Sequence, residues 1–133
     1  MVGIMLVTHG NLGKGLLESG EMIIGPQQHI RVLSLTDEGV EIFRAVLEQA
    51  VKEFKANYPA VLFLTDLKNA TPYNEIYRYF LANNIKTDRM LSGVNLAMYV
   101  DAAMAASGGD GIDSVAEAAL ESGRESISLL IID

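Results

Sequence analysis

The chain has 133 residues, half of them hydrophobic, with few aromatics, no Trp and no Cys. That length suits a single domain with a largely aliphatic core. The missing cysteines exclude disulfides and thiolate metal sites, as suits a reducing compartment. The net charge of −7, with no basic cluster anywhere, makes nucleic acid and anionic membrane surfaces poor partners.

In chain order, the apolar run Ile4–Val7 reads as a buried strand that ends in Thr8-His9-Gly10-Asn11. The run has no positive flank and is too short for a signal peptide or a membrane span, so a soluble cytosolic protein is expected. Asn11 is placed to cap a helix that carries Leu12, Leu16, Gly20 and Ile23 and stops at Gly25-Pro26. Ile30–Leu35 is a second strand. Ile42, Val46, Leu47, Ala50 and Phe54 recur at helical spacing before Asn57-Tyr58-Pro59. Ala60–Thr65 is a continuous apolar run, the pattern of a central strand covered on both faces, and it stops at Asp66. Thr71-Pro72 supplies a cap followed by Pro at the first helical position, and Tyr73–Leu81 is helical. Asp88–Ser92 is a shorter strand, and Leu96–Ala106 is nearly all apolar. Gly108–Gly111 is a plain connector, Ile112–Ser122 a helix ended by Gly123, and Ile127–Ile132 a closing strand. Strands alternating with helices predict one α/β domain over residues 1–133. Its sheet is expected to be doubly wound, mostly parallel and five-stranded, in the flavodoxin-like order 2-1-3-4-5, with helices on both faces.

The chemistry concentrates where strands turn into helices, since the carboxyl edge of an open α/β sheet is where anions and substrates bind. His9 is a nucleophile candidate there. A neutral imidazole is competent near pH 7, and the backbone N–H groups of Gly10 and Asn11, at a helix start, would face an anion attached to it. Gly10–Gly15 has neither dinucleotide-binding nor phosphate-loop spacing, so Gly13 and Gly15 read as packing glycines. His29, in a polar approach to a strand, reads as solvated surface. Asp66 is either a turn-initiating residue or a carboxylate that orients His9. The segment Lys68-Asn69-Ala70-Thr71-Pro72 offers a second helix start whose N–H groups and Thr71 hydroxyl would hold phosphoryl oxygens, with Thr71 as a simple cap being the alternative. No residue set suggests a metal or cofactor.

Thr8-His9-Gly10 after an apolar strand resembles the active-site turn of the mannose-type IIA component of the bacterial phosphoenolpyruvate-dependent sugar phosphotransferase system. Val61–Asp66 followed by Thr71-Pro72-Tyr73-Asn74 is similar to the second site segment of that family, and Ser92–Leu96 and Glu121–Glu125 resemble its later signatures. The likeness covers essentially the whole chain. Two departures stand out: Asn69-Ala70-Thr71 where the family commonly has Gly-Gly-Ser, and Ala97 where Pro is usual.

The resemblance implies a phosphocarrier in which His9 takes a phosphoryl group from the phosphohistidine carrier protein HPr. His9 would pass it to a IIB component, which serves the membrane IIC/IID permease. Asp66 would orient His9, and Gly10, Asn11, Asn69, Ala70 and Thr71 would line the phosphate site. The sugar is left open. Rivals are the related subunit that feeds dihydroxyacetone kinase, which usually has a Ser-His-Ser turn, and a non-catalytic regulatory domain of the same fold. With the chain ending at Asp133 and no DNA-binding or ATPase module in it, the regulator is the less favoured expectation. Leu96–Ala106 and Ile127–Ile132 both want cover, which predicts a homodimer. The resemblance implies that the last strand lies antiparallel and is swapped between subunits.

Overall fold

The computed structural model describes residues 1–133. Four strands and five helices alternate: β1 (Gly3–His9), α1 (Leu12–Ile24), β2 (Ile30–Leu35), α2 (Val40–Lys55), β3 (Val61–Thr65), α3 (Thr71–Ala82), β4 (Arg89–Leu91), α4 (Leu96–Ser107) and α5 (Ile112–Glu125). All pairings are parallel, and the strand order is 2-1-3-4. β1 as far as Thr8 and all of β3 are central and buried because their alternate residues feed two cores. Ile4, Leu6, Leu62 and Leu64 pack with α1, α4 and α5, whereas Met5, Val7, Val61 and Phe63 pack with α2 and α3. That two-sided burial explains the unbroken apolar runs.

The expected fifth strand is absent, and the sheet has four strands rather than five. A strand exists through its ladder, and Ile127–Ile132 finds no partner within its own chain. Ile127, Leu129, Leu130, Ile131 and Ile132 are 75–85% exposed. α4 does not lack cover as its composition suggested: it lies between α1 and α5 and buries Met98, Tyr99, Val100, Ala102, Ala103 and Ala106. α5 runs through Gly123 instead of stopping there. A Cβ at Gly123 would lie 2.8 Å from Met98 Cε, so this glycine permits close helix packing rather than ending a helix. On α2 the buried face is Phe43, Leu47, Ala50, Val51 and Phe54, while Ile42 and Val46 face solvent.

His29 is likewise not on the surface. It is 3% exposed, and its Nε2 lies 3.0 Å from the carbonyl of Ala103, tying the start of β2 to α4. At the amino edge of the sheet, Asp88 is fully buried beside Lys55 Nζ (2.6 Å) and accepts the Val61 N–H (3.0 Å). Charge there is paired and hydrogen-bonded, the condition under which burial is tolerated.

Tyr99 packs against α1 at Gly20, where a Cβ would collide with its ring. Burial, with the charge of Glu21, pushes the phenol up to about 12, and its hydroxyl has no hydrogen-bond partner. Gly20→Ala should therefore destabilise by ~1–3 kcal/mol through overpacking, more than any gain in helix propensity of at most ~1 kcal/mol. Tyr99→Phe removes an unsatisfied buried hydroxyl and should be neutral or stabilising. Guanidinium unfolding midpoints check both, and a clear loss in Tyr99→Phe would show that the hydroxyl is satisfied in solution.

Candidate active site

β1 and β3 are neighbours in register, with Val7 opposite Thr65, so the residues that follow each strand emerge side by side. The strand order reverses here: β2 lies beyond β1 on one side and β4 beyond β3 on the other. Such a reversal opens a crevice at the carboxyl edge of the sheet. His9 and Asp66 stand in it, joined by two bonds to one oxygen. Asp66 Oδ2 accepts the backbone N–H of His9 at 2.8 Å and meets the ring Nδ1 at 2.8 Å. The His9 side chain is 47% exposed and that of Asp66 only 11%.

Burial pushes the Asp66 carboxyl up, but the hydrogen bonds from the His9 backbone and ring, together with the nearness of the ring, outweigh it. The carboxyl titrates below its ordinary 3.8. It is thus ionised at neutral pH and can only accept, which assigns the ring proton to Nδ1. Nε2 keeps its lone pair and makes no protein hydrogen bond, and the ring as a whole is half exposed. A shallow cleft of about 380 Å³, bounded by His9, Gly10, Leu35, Thr36 and Asp37, opens beside it. A larger groove, about 650 Å³ between α2 and α3, contains Lys52, Lys55 and Arg78 but none of these site residues.

The five residues assigned to phosphate binding fall into two groups, at the starts of α1 and α3. The Gly10 N–H is committed to the carbonyl of Leu35 (2.9 Å) and the Ala70 N–H to that of Leu67 (3.3 Å). The amides of Asn11 and Asn69 have no protein acceptor. Neither expected cap forms as the sequence suggested. Asn11 precedes α1 without a side-chain cap bond, and Ala70 rather than Thr71 is the N-cap of α3, leaving Thr71 as its first helical residue. Asn69 has φ +65°, a left-handed conformation that Asn tolerates and Gly prefers. This explains how Asn serves in a loop where a glycine is common. The Asn74 side-chain amide donates to the Asn69 carbonyl (3.0 Å) and holds the turn.

The Ser92–Leu96 and Glu121–Glu125 segments meet each other rather than His9. Asn95 caps α4 by accepting the Met98 N–H (3.0 Å), and its Nδ2 donates to the carbonyl of Gly123 (3.0 Å). Thr8 reads in the sequence only as part of the Thr8-His9-Gly10 turn, with no role of its own. It is fully buried, and its Oγ1 accepts the N–H of Gly13 at 2.8 Å. The signal was available, a hydroxyl residue closing an otherwise apolar strand one position before His9.

Fold and site together describe an α/β protein that presents a carboxylate-anchored histidine at its switch point. The family model described as "PTS system fructose IIA component" matches residues 3–120, and the chain belongs to this mannose-type IIA family of the phosphotransferase system. Among relatives, the fructose-specific EIIA component of Bacillus subtilis is 32% identical over 102 residues, covering 76% of this chain and 68% of its own. The mannose-specific EIIAB component of Escherichia coli K12 is 27% identical over 134 residues. That match covers 97% of this chain but only 39% of the relative. The mannose/sorbose-specific IIA subunit of Enterococcus faecalis superposes with a TM-score of 0.85 at 29% identity, over 98% of this chain and 96% of that one. No helix is long and apolar enough to cross a membrane.

The Asp66 pKa gives the sign of one pH effect. Because the folded value is depressed, its stabilisation is complete above the ordinary carboxylate value and is lost as pH falls through the folded one. Asp66→Asn should therefore flatten part of the acid limb of stability below about pH 4. Urea titrations from pH 2 to 7 test this, and identical acid limbs in the two proteins would refute it.

Proposed function

We propose that the protein is a phosphocarrier working through a phosphohistidine at His9 Nε2. The observation that carries this is the His9–Asp66 pair, in which Nδ1 is held by a carboxylate while Nε2 is left unbonded on a half-exposed ring. The donor is the phosphohistidine of an HPr-type carrier protein, and the acceptor is a IIB component serving a IIC/IID permease. The lone pair of His9 Nε2 attacks phosphorus, forming a P–N bond as the P–N bond of the donor breaks, and that electron pair returns to the donor nitrogen. The Nδ1 proton stays on the hydrogen bond to Asp66, whose charge offsets the positive charge growing on the ring. Interconversion of two phosphohistidines demands in-line placement more than acid–base power. A shallow, open cleft suits that exchange between protein surfaces, and the net charge of −7 favours partners with basic docking faces.

Incubation with phosphoenolpyruvate, the first enzyme of the system and HPr should add one phosphoryl mass, stable to base and labile to acid. His9→Ala should take none. Asp66→Asn should fold and transfer ~10- to 1,000-fold more slowly, on the scale of losing an orienting or electrostatic group. A label on His29, or an unchanged rate in a folded Asp66→Asn protein, would defeat the assignment.

The same reading includes a homodimer in which the Ile127–Ile132 segments exchange. Five exposed aliphatics stand at the chain end, and β4 pairs with β3 alone, leaving its outer edge open. An antiparallel strand from a second copy would satisfy both. Light scattering after size exclusion should give a dimer at micromolar concentration. Deleting residues 127–133 should dissociate it and lower stability, since each large buried aliphatic contributes ~2–5 kcal/mol. A monodisperse monomer, or a truncation of unchanged stability, would refute the exchange.

A further inference from the structure

Five polar or charged residues are buried: Thr8, His29, Thr65, Glu75 and Asp88. Four of them tie one element or chain segment to another. His29 bonds Ala103, Thr65 Oγ1 donates to the Leu91 carbonyl, Glu75 holds Arg44 and Asp88 holds Lys55. Thr8 differs because its single protein bond closes the turn that carries His9. Its Oγ1 takes the N–H of Gly13, the second residue of α1, which is the amide a helix cap normally satisfies. Asn11, in the cap position, does not do so. Gly13 makes the contact possible, since a Cβ there would lie 3.1 Å from Thr8 Oγ1 and 3.0 Å from Val32 Cγ1.

The consequence lies in which amides remain. His9 N–H goes to Asp66, Gly10 N–H to Leu35 and Gly13 N–H to Thr8, while Asn11 N–H has no protein acceptor. We propose that Thr8 is a positioning residue for phosphoryl transfer. Its buried hydroxyl fixes the first turn of α1 so that the Asn11 N–H is aimed at a phosphoryl group on His9 Nε2. This rests on the phosphocarrier reading. It separates two tasks in one turn: Asp66 sets the nucleophile, and Thr8 sets the donor that meets the charge on the phosphoryl oxygens. Removing the hydroxyl leaves the Gly13 N–H buried without an acceptor, a state the turn can relieve only by shifting.

The test uses phosphoramidate as a small phosphodonor, so that docking of a protein partner plays no part. The bond from phosphorus to the departing ammonia breaks as the bond to Nε2 forms, and ammonia keeps the electron pair. Intact mass and ³¹P NMR follow the product. Thr8→Val, of nearly the same shape, should label His9 ~10- to 100-fold more slowly, the scale of one misplaced donor, and Thr8→Ser should restore most of the rate. The ¹⁵N shifts of the His9 ring should be the same in all three proteins, which a general loosening of the site would not allow. In the wild type the Asn11 amide proton should move downfield on phosphorylation while that of Gly13 stays. This readout holds even if Thr8→Val fails to fold. A wild type that labels at His9 with an unmoved Asn11 amide, or a folded Thr8→Val that labels at the wild-type rate, overturns the role of Thr8 alone. A wild type that takes no label on His9 overturns the phosphocarrier reading and this inference with it.

Discussion

A single carboxylate oxygen organises the functional edge of this protein. Asp66 Oδ2 receives both the backbone N–H and the ring of His9, each at 2.8 Å. A bond to the ring alone would leave the end of β1 held only through β2 at Leu35, and a bond to the backbone alone would leave the imidazole free to rotate. Together they fix the chain and the side chain with one group. The arrangement depends on β1 and β3 being parallel neighbours, because only then do the residues after Val7 and Thr65 emerge at the same height. It also requires the carboxylate to stay ionised while mostly buried, and the bonds from His9 secure that against desolvation.

Much of this was legible in the sequence, for a physical reason. β1 and β3 are buried on both faces, so they appear as unbroken apolar runs, and each run ends abruptly at a polar residue on the same sheet edge. His9 and Asp66 therefore announced themselves by position as well as by residue type. What escaped were features that depend on a distant partner. His29 looks solvated among Gln27 and Gln28 because nothing local shows that the Ala103 carbonyl, 74 residues away, will lie over it. Gly123 looks like a helix stop until Met98 is packed against it. Thr8 has a near partner, five residues on, but it looks like one more turn residue until the start of α1 folds the Gly13 N–H back onto it. The fifth strand failed differently. Its pattern is sound, but a strand needs a neighbour, and the pattern of one chain does not say which chain provides it.

The later signatures carry a related lesson about family resemblance. Asn95 and Gly123 lie in two motifs that identify the family, yet they bond to each other and clamp the start of α4 to α5. They hold a helix pair in place and take no part in the His9 site. Recognition of a family and location of its chemistry are thus separate inferences, since a shared fold keeps packing residues as well as reacting ones.

The two edges of the sheet are mechanically unlike. At the amino edge, Asp88 bonds Lys55 and the Val61 N–H with no exposure to solvent, so α2, β3 and the approach to β4 are riveted together. At the carboxyl edge the strands open into short turns with unpaired amides at Asn11 and Asn69. Opening a local segment is easiest where buried bonds are fewest. The amino edge is therefore closed by buried charge, while the carboxyl edge combines turns anchored by Thr8, Asp66 and Asn74 with amides left free. On the phosphocarrier reading proposed above, exchange between partners engages those two turns and leaves the riveted amino edge undisturbed.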